Sequence, residues 1–184
     1  CICRSASKCE GYPIDLGCMF MGDAALKISP KLGHIATKEE AKVHAKRARE
    51  AGLVHLIGRN KLDTIWLGVG PGKKLLTTCF CCECCCVERG GKDLPKYLKG
   101  WHQRMEGLTV TVDPNLCKGC GKCLEVCIYG VREIINGKAV IDQERCLGCG
   151  RCERVCPNGA TTITIEEGGV ERMIARIESY VDVS

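Results

Sequence analysis

Eight of the 18 cysteines fall in two copies of one pattern, and sulfur at that spacing ligates inorganic clusters. Cys117, Cys120, Cys123 and Cys127 read C-x2-C-x2-C-x3-C, and Cys146, Cys149, Cys152 and Cys156 repeat it. Thiolates three residues apart in a tight loop reach three corners of one [4Fe–4S] cube, and glycines between them let the backbone curl close. The fourth cysteine lies one helical turn on and points away, so it serves the other cluster. Cys117, Cys120, Cys123 and Cys156 are therefore predicted to hold one cluster, and Cys146, Cys149, Cys152 and Cys127 the other. Zinc sites use pairs of cysteines to build a single tetrahedron, which this spacing does not match.

The elements that position these sulfurs recur with them. The block 109–137 returns at 138–166, so that Val112-Asp113 matches Ile141-Asp142 at the same offset as the cysteines. Each copy reads as strand, cluster loop, short helix, strand, which is too little to bury a core alone. Two copies stacked about a pseudo-twofold axis would share one. Residues 109–166 resemble the two-[4Fe–4S] bacterial ferredoxin family on these eight cysteines and on Cys156-Pro157. The first copy departs from the family with Ile128 after Cys127, which affects the turn rather than the ligand. The resemblance implies one-electron transfer at low potential, tuned by loop amides, burial and nearby charge.

Ten further cysteines precede the repeat: Cys1, Cys3, Cys9, Cys18, Cys79, Cys81, Cys82, Cys84, Cys85 and Cys86. The front half resembles the cysteine-rich region preceding such modules in some anaerobe iron–sulfur proteins. The shared features are Cys1-x-Cys3-Arg4, Ala51-Gly52-Leu53-Val54-His55 and the run Cys79 to Cys86. All ten are candidate ligands, and at least one additional cluster is expected; zinc and redox-active disulfide or sulfur chemistry remain open. An extended run would send Cys79, Cys81 and Cys85 to one side and Cys82, Cys84 and Cys86 to the other. Alternatively it coils around one unusual cluster. His55 reads as packed or solvated rather than as a ligand, and His34, His44 and His102 have weaker claims.

Other segments carry scaffold signals. Thr37 and Glu40 form a capping box, Ala41, Ala45, Ala48 and Ala51 make a small-residue stripe, and Gly52 sits at C′. Residues 1–36 read as loop. Leu53 to Ile57 and Leu62 to Val69 read as strands, and Val170 to Val181 as an amphipathic helix packing on the body, with partner docking as the alternative. Gly68-Val69-Gly70-Pro71-Gly72-Lys73-Lys74 fails the phosphate-loop spacing and reads as a turn.

The expected fold is α+β: a ferredoxin-like dicluster module with a cysteine-rich, partly helical N-terminal metal-binding domain. Its divisions are 1–86, a basic linker 87–108, the cluster module 109–167 and a C-terminal helix 168–184. Aromatic residues are only 4% of the chain, so metal ligation must supply much of the folding energy. The formal charge of +5 counts thiols as neutral. Two clusters of about −2 each bring it to roughly +1, and three to about −1. That removes the charge argument for nucleic acid, and no apolar run is long enough to span a membrane. No signal peptide is visible, and a reducing, anaerobic cytoplasm suits the thiols better than disulfides. The opening at Cys1 without methionine suggests a processed or truncated chain. An electron carrier or electron-transfer subunit is the favoured function, ahead of a redox enzyme with an open-site front cluster and a redox or metal sensor. Arg89, Lys92, Lys96, Lys99 and Arg104 read as a solvated linker or as a docking patch for an acidic redox partner.

Overall fold

The computed structural model describes residues 1–86 and 102–183. Most of the basic segment 89–104 thus lies outside the described residues; within it Arg104 donates to Gln143 Oε1 at 3.0 Å. The chain forms two compact units, Cys1–Cys85 with Ile174–Ser184, and Cys86–Met173. Among the described residues no helix is long and apolar enough to cross a membrane.

The front unit is built on a three-stranded antiparallel sheet. Helix α1 (Ile2–Ala6) and strand β1 (Met19–Met21) occur within the segment expected to be loop, and both are too short to leave a periodic signature. Helix α2 (Lys38–Glu50) has the anticipated ends: the Thr37 side chain accepts from Glu40 N–H, Glu40 returns to the Thr37 backbone, and Gly52 takes φ +83°. Of its small-residue stripe, Ala48 is fully buried. Strand β2 (Val54–Gly58) pairs with β3 (Leu76–Cys81), and β1 pairs with the opposite edge of β3, giving the order β1-β3-β2.

Residues 62–69 correct the reading as a strand. They lie largely in helix α3 (Lys61–Leu67), capped by the Asn60 side chain accepting from Leu62 N–H and closed by Gly68 in the left-handed region. Its buried positions are Asp63 and Leu67, one helical turn apart, while Ile65 and Trp66 face solvent. Asp63 is satisfied by Thr77 Oγ1 at 2.7 Å. Ala24, Leu67, Val69 and Leu75 form a small core with Phe20, Ala25 and Ile28 against it.

The second unit carries two antiparallel pairs. Strand β4 (Leu108–Val112) lies beside β7 (Thr161–Ile165), with Val110 opposite Ile163. Strands β5 (Arg132–Ile135) and β6 (Lys138–Ile141) make a hairpin closed by Asn136-Gly137, both at positive φ. That turn matches the right-handed twist of its strands, and Asn-Gly is its preferred sequence. One-turn helices α4 (Lys122–Glu125) and α5 (Arg151–Arg154) occupy the same place in each copy. Helix α6 (Gly169–Glu178) supplies the expected C-terminal helix.

Candidate metal centres

Each cluster loop is shaped by glycines that no other residue replaces cheaply. Gly119 and Gly148, at equivalent places in the repeat, adopt φ +64° and +70°. A Cβ at Gly119 would run into the Gly137 carbonyl, and one at Gly148 into the Leu108 side chain. Gly121 and Gly150 then start α4 and α5, which carry Cys123 and Cys152. The last cysteine of each copy follows its helix and accepts a backbone N–H four residues on: Val131 to Cys127 Sγ at 3.4 Å, Ala160 to Cys156 Sγ at 3.2 Å.

These turns bring the eight cysteines to two cavities. One is lined by Cys117, Cys120, Cys123 and Cys156, the other by Cys127, Cys146, Cys149 and Cys152. Each contains about 340 Å³ of space outside the protein atoms. Three sulfurs in each cavity come from one copy and the fourth from its repeat.

The two cavities differ electrostatically. In the first, N–H groups of Ala139 and Gly119 directed at Cys117 hold its thiol below the usual range, the Ala139 contact being 3.3 Å. Burial opposes ionisation of Cys156, but the amides of Thr161, Asn158, Ala160 and Gly159 outweigh it and lower that thiol too. In the second, burial raises Cys149 and pushes Cys152 up to about 11, against the pull of Arg132. The Arg132 guanidinium is itself buried and donates to Cys152 Sγ at 2.8 Å and Thr161 Oγ1 at 3.4 Å. Position 161 is the repeat of position 132, so the arginine has a threonine as its counterpart. Arg132 was not singled out from the sequence, and a lone arginine opening a strand gave no spacing signal.

The front-half cysteines separate into groups that simple alternation did not anticipate. Strand β3 ends at Cys81 and the chain then turns, so Cys85 joins Cys82 and Cys84 rather than Cys79 and Cys81. Cys9 completes this group, and the four Sγ atoms all lie within 4.8 Å of one another. Burial opposes ionisation of Cys9, but contacts from the Cys85 and Cys84 thiols and the amides of Gly11 and Tyr12 hold it below the usual range. Cys84 is raised by burial and then by its sulfur neighbours, and Cys85 is raised by its contact with Cys9 and then by burial. Crowded thiols share few protons' worth of charge unless a cation is present, when the preference inverts.

On β3, Cys79 meets Cys18 at 3.5 Å, and Cys18 is raised first by that contact and then by burial. Cys3 and Asp63 act on Cys18 as further negative neighbours. Cys1 caps α1, with its amino group donating to Ile14 O at 2.8 Å. Cys81 and Cys86 are buried. Two of the four histidines pack on Phe80: His44 and His55 approach its ring edge-on at 5.3 and 4.7 Å, and His44 Nε2 also hydrogen-bonds Gly17 O at 2.8 Å.

Arg4 was noted only as part of a motif, yet it organises this end of the molecule. It is 1% exposed and donates to the carbonyls of Pro13 at 3.0 Å, Phe80 at 2.8 Å and Leu16. Tyr12 adds a second tie, donating to the Glu83 carboxylate at 2.8 Å. Together they hold the Cys9 loop to the turn after β3.

The family model described as "4Fe-4S dicluster domain" matches residues 116–160. Ferredoxin-2 of Desulfomicrobium norvegicum is 53% identical over 34 residues, which are 18% of this chain and 58% of that protein. Ferredoxin-1 of Nitratidesulfovibrio vulgaris is likewise 53% identical over 34 residues, 18% of this chain and 55% of that protein. The chain thus spans more than half, but less than two thirds, of each relative's length. With the doubled cysteine loops and their two cavities, the matched segment is a bacterial-type ferredoxin domain of the 4Fe–4S dicluster kind.

Proposed function

We propose that the protein is an iron–sulfur electron carrier or electron-transfer subunit whose ferredoxin module holds two [4Fe–4S] clusters by crossed ligation. Cys117, Cys120, Cys123 and Cys156 would hold one cluster, and Cys146, Cys149, Cys152 and Cys127 the other, the two copies being related by a pseudo-twofold axis. The observation that carries the reading is the sharing of one cavity by Cys156 and the three loop cysteines of the first copy. The donor set fits the cofactor, since each cavity offers four thiols, with amides aimed at sulfur. When bound, such a cluster supplies one-electron transfer at a potential set by hydrogen bonds, charge and burial.

The chain's own part is to fix the sulfurs and to set positive charge or partial positive charge against them. Ala139, Val131 and Ala160 do this through backbone N–H groups, and Arg132 through its charge. Residues 1–86 form a second metal-binding domain in this reading, with an additional iron–sulfur cluster near Cys3, Cys18 and Cys79. An acidic redox partner docking on the basic segment 89–104, in a reducing cytoplasm, completes it.

The test is iron, acid-labile sulfide and low-temperature EPR on the anaerobically purified chain and its Cys156→Ala and Cys127→Ala variants. Cys156→Ala should damage the cluster built on Cys117 and spare the one built on Cys146, with the reverse for Cys127→Ala. Damage confined to the variant's own copy refutes the crossed arrangement. A colourless protein without cluster absorption after reconstitution refutes the carrier itself.

A further inference from the structure

We propose that Cys9, Cys82, Cys84 and Cys85 form a separate site for a single tetrahedral metal ion, Zn²⁺ or iron, and hold no cluster. The argument rests on sulfur spacing. Four thiolates around one zinc at bonds of about 2.3 Å lie about 3.8 Å apart along each tetrahedral edge. Cys9 and Cys84 have their Sγ atoms 3.6 Å apart, and all four sulfurs fall within 4.8 Å of one another.

A four-iron cube stands between its ligands and keeps them further apart. The molecule supplies its own comparison. Among the described residues, neither ferredoxin quartet brings three sulfurs within that 4.8 Å limit, while the front tetrad brings four. Two kinds of sulfur site are therefore present, distinguished by size. A tetrahedral set of four sulfurs is the coordination of zinc or of a sulfur-bound iron, which is the shared chemistry assigned here.

The surroundings are those of a closed site. The Cys85 N–H donates to Cys82 Sγ at 3.4 Å, and the amides of Gly11 and Tyr12 turn toward Cys9. Such outer contacts orient a metal's ligands. Cys82 is buried, and the two segments are fastened by Arg4 to Phe80 O and by Tyr12 to Glu83. Glu83, the one carboxylate in the run, is engaged by Tyr12. An ion here would join the N-terminal loop to the turn after β3, stabilising a unit with little apolar core. This assignment stands apart from the ferredoxin reading, because none of its four cysteines belongs to the repeat.

The experiment is metal and acid-labile sulfide analysis of the full chain, purified without air, beside its Cys9→Ser and Cys84→Ser variants. X-ray absorption at the zinc edge and iron Mössbauer spectra of the wild type identify the ion. Each variant should lose one metal ion per chain, with its sulfide and the ferredoxin clusters unchanged. The wild type should show zinc in a shell of four sulfurs, or an iron with no iron neighbour. Loss of about four irons with matching sulfide would place a cluster at the tetrad and overturn the proposal. Unchanged metal content in both variants would overturn it equally. If the variants do not fold, wild-type spectra lacking both signatures refute it.

Discussion

Arg132 makes the two halves of the ferredoxin module unequal, and its removal should be felt at one cluster only. The guanidinium donates to Cys152 Sγ at 2.8 Å from a buried position, where solvent screens little. A positive charge there favours the more negative, reduced state of whatever Cys152 ligates. A unit charge at 4 Å in a medium of effective dielectric 20 is worth about 4 kcal/mol. The transferred electron is spread over a cluster beyond the sulfur, so about a third of that, ~1.4 kcal/mol, is the expected difference between redox states. For one electron this corresponds to about 60 mV.

Arg132→Met should therefore lower one midpoint potential by about 60 mV and leave the other nearly in place. Arg132→Lys keeps the charge but loses the planar fork, and should recover part of the shift. EPR-monitored redox titration of both variants against wild type measures this, with iron content checked first. Equal shifts at both clusters, or a shift to higher potential, would refute the reasoning.

Arg4→Met removes donors from three backbone carbonyls in the front unit and should destabilise that unit by about 3–5 kcal/mol. Urea unfolding followed by near-ultraviolet circular dichroism tests this, and a change below about 1 kcal/mol would remove Arg4 from its organising role. Gly119→Ala should cost more stability and cluster occupancy than Gly121→Ala. Both glycines have positive φ, about 1–2 kcal/mol for an L-residue, but only Gly119 faces a carbonyl while Gly121 faces open space. Thermal unfolding and iron content of the two variants should rank them in that order.

The cluster loops were legible because ligand spacing is a local property. Three sulfurs on one cube fix their separation along the chain, and the repeat offset carries that constraint to the second copy. Helix α2 was legible for a similar reason, since Thr37, Glu40 and Gly52 satisfy its ends without help from distant residues. Residues 62–69 misled because their apolar content does not mark burial. Ile65 and Trp66 are exposed, and the covered face is Asp63 and Leu67. The cues for a helix were Asn60 and Gly68, which outweigh a short apolar run. Asn136-Gly137 was likewise a sufficient hairpin signal that went unused.

The front tetrad was only half legible. A run of cysteines announces metal chemistry, but alternation along a strand could not say where the strand stops. Strand β3 is buried at five of its six positions, so its pattern distinguishes no face, and the chain leaves extended geometry after Cys81. The partner cysteine is 73 positions from Cys82 along the chain, and the contacts of Arg4 and Tyr12 hold the two segments together. Contacts of that range follow from packing, which one sequence does not display.

Strands β4 and β7 are the first and last of the repeat, yet they run side by side in opposite directions, with Leu108 facing Ile165. The backbone consequently enters and departs through one doorway, as a two-stranded stalk. A segment with that layout behaves as a cassette: it can be set into a host polypeptide at a single surface turn without stretching its neighbours.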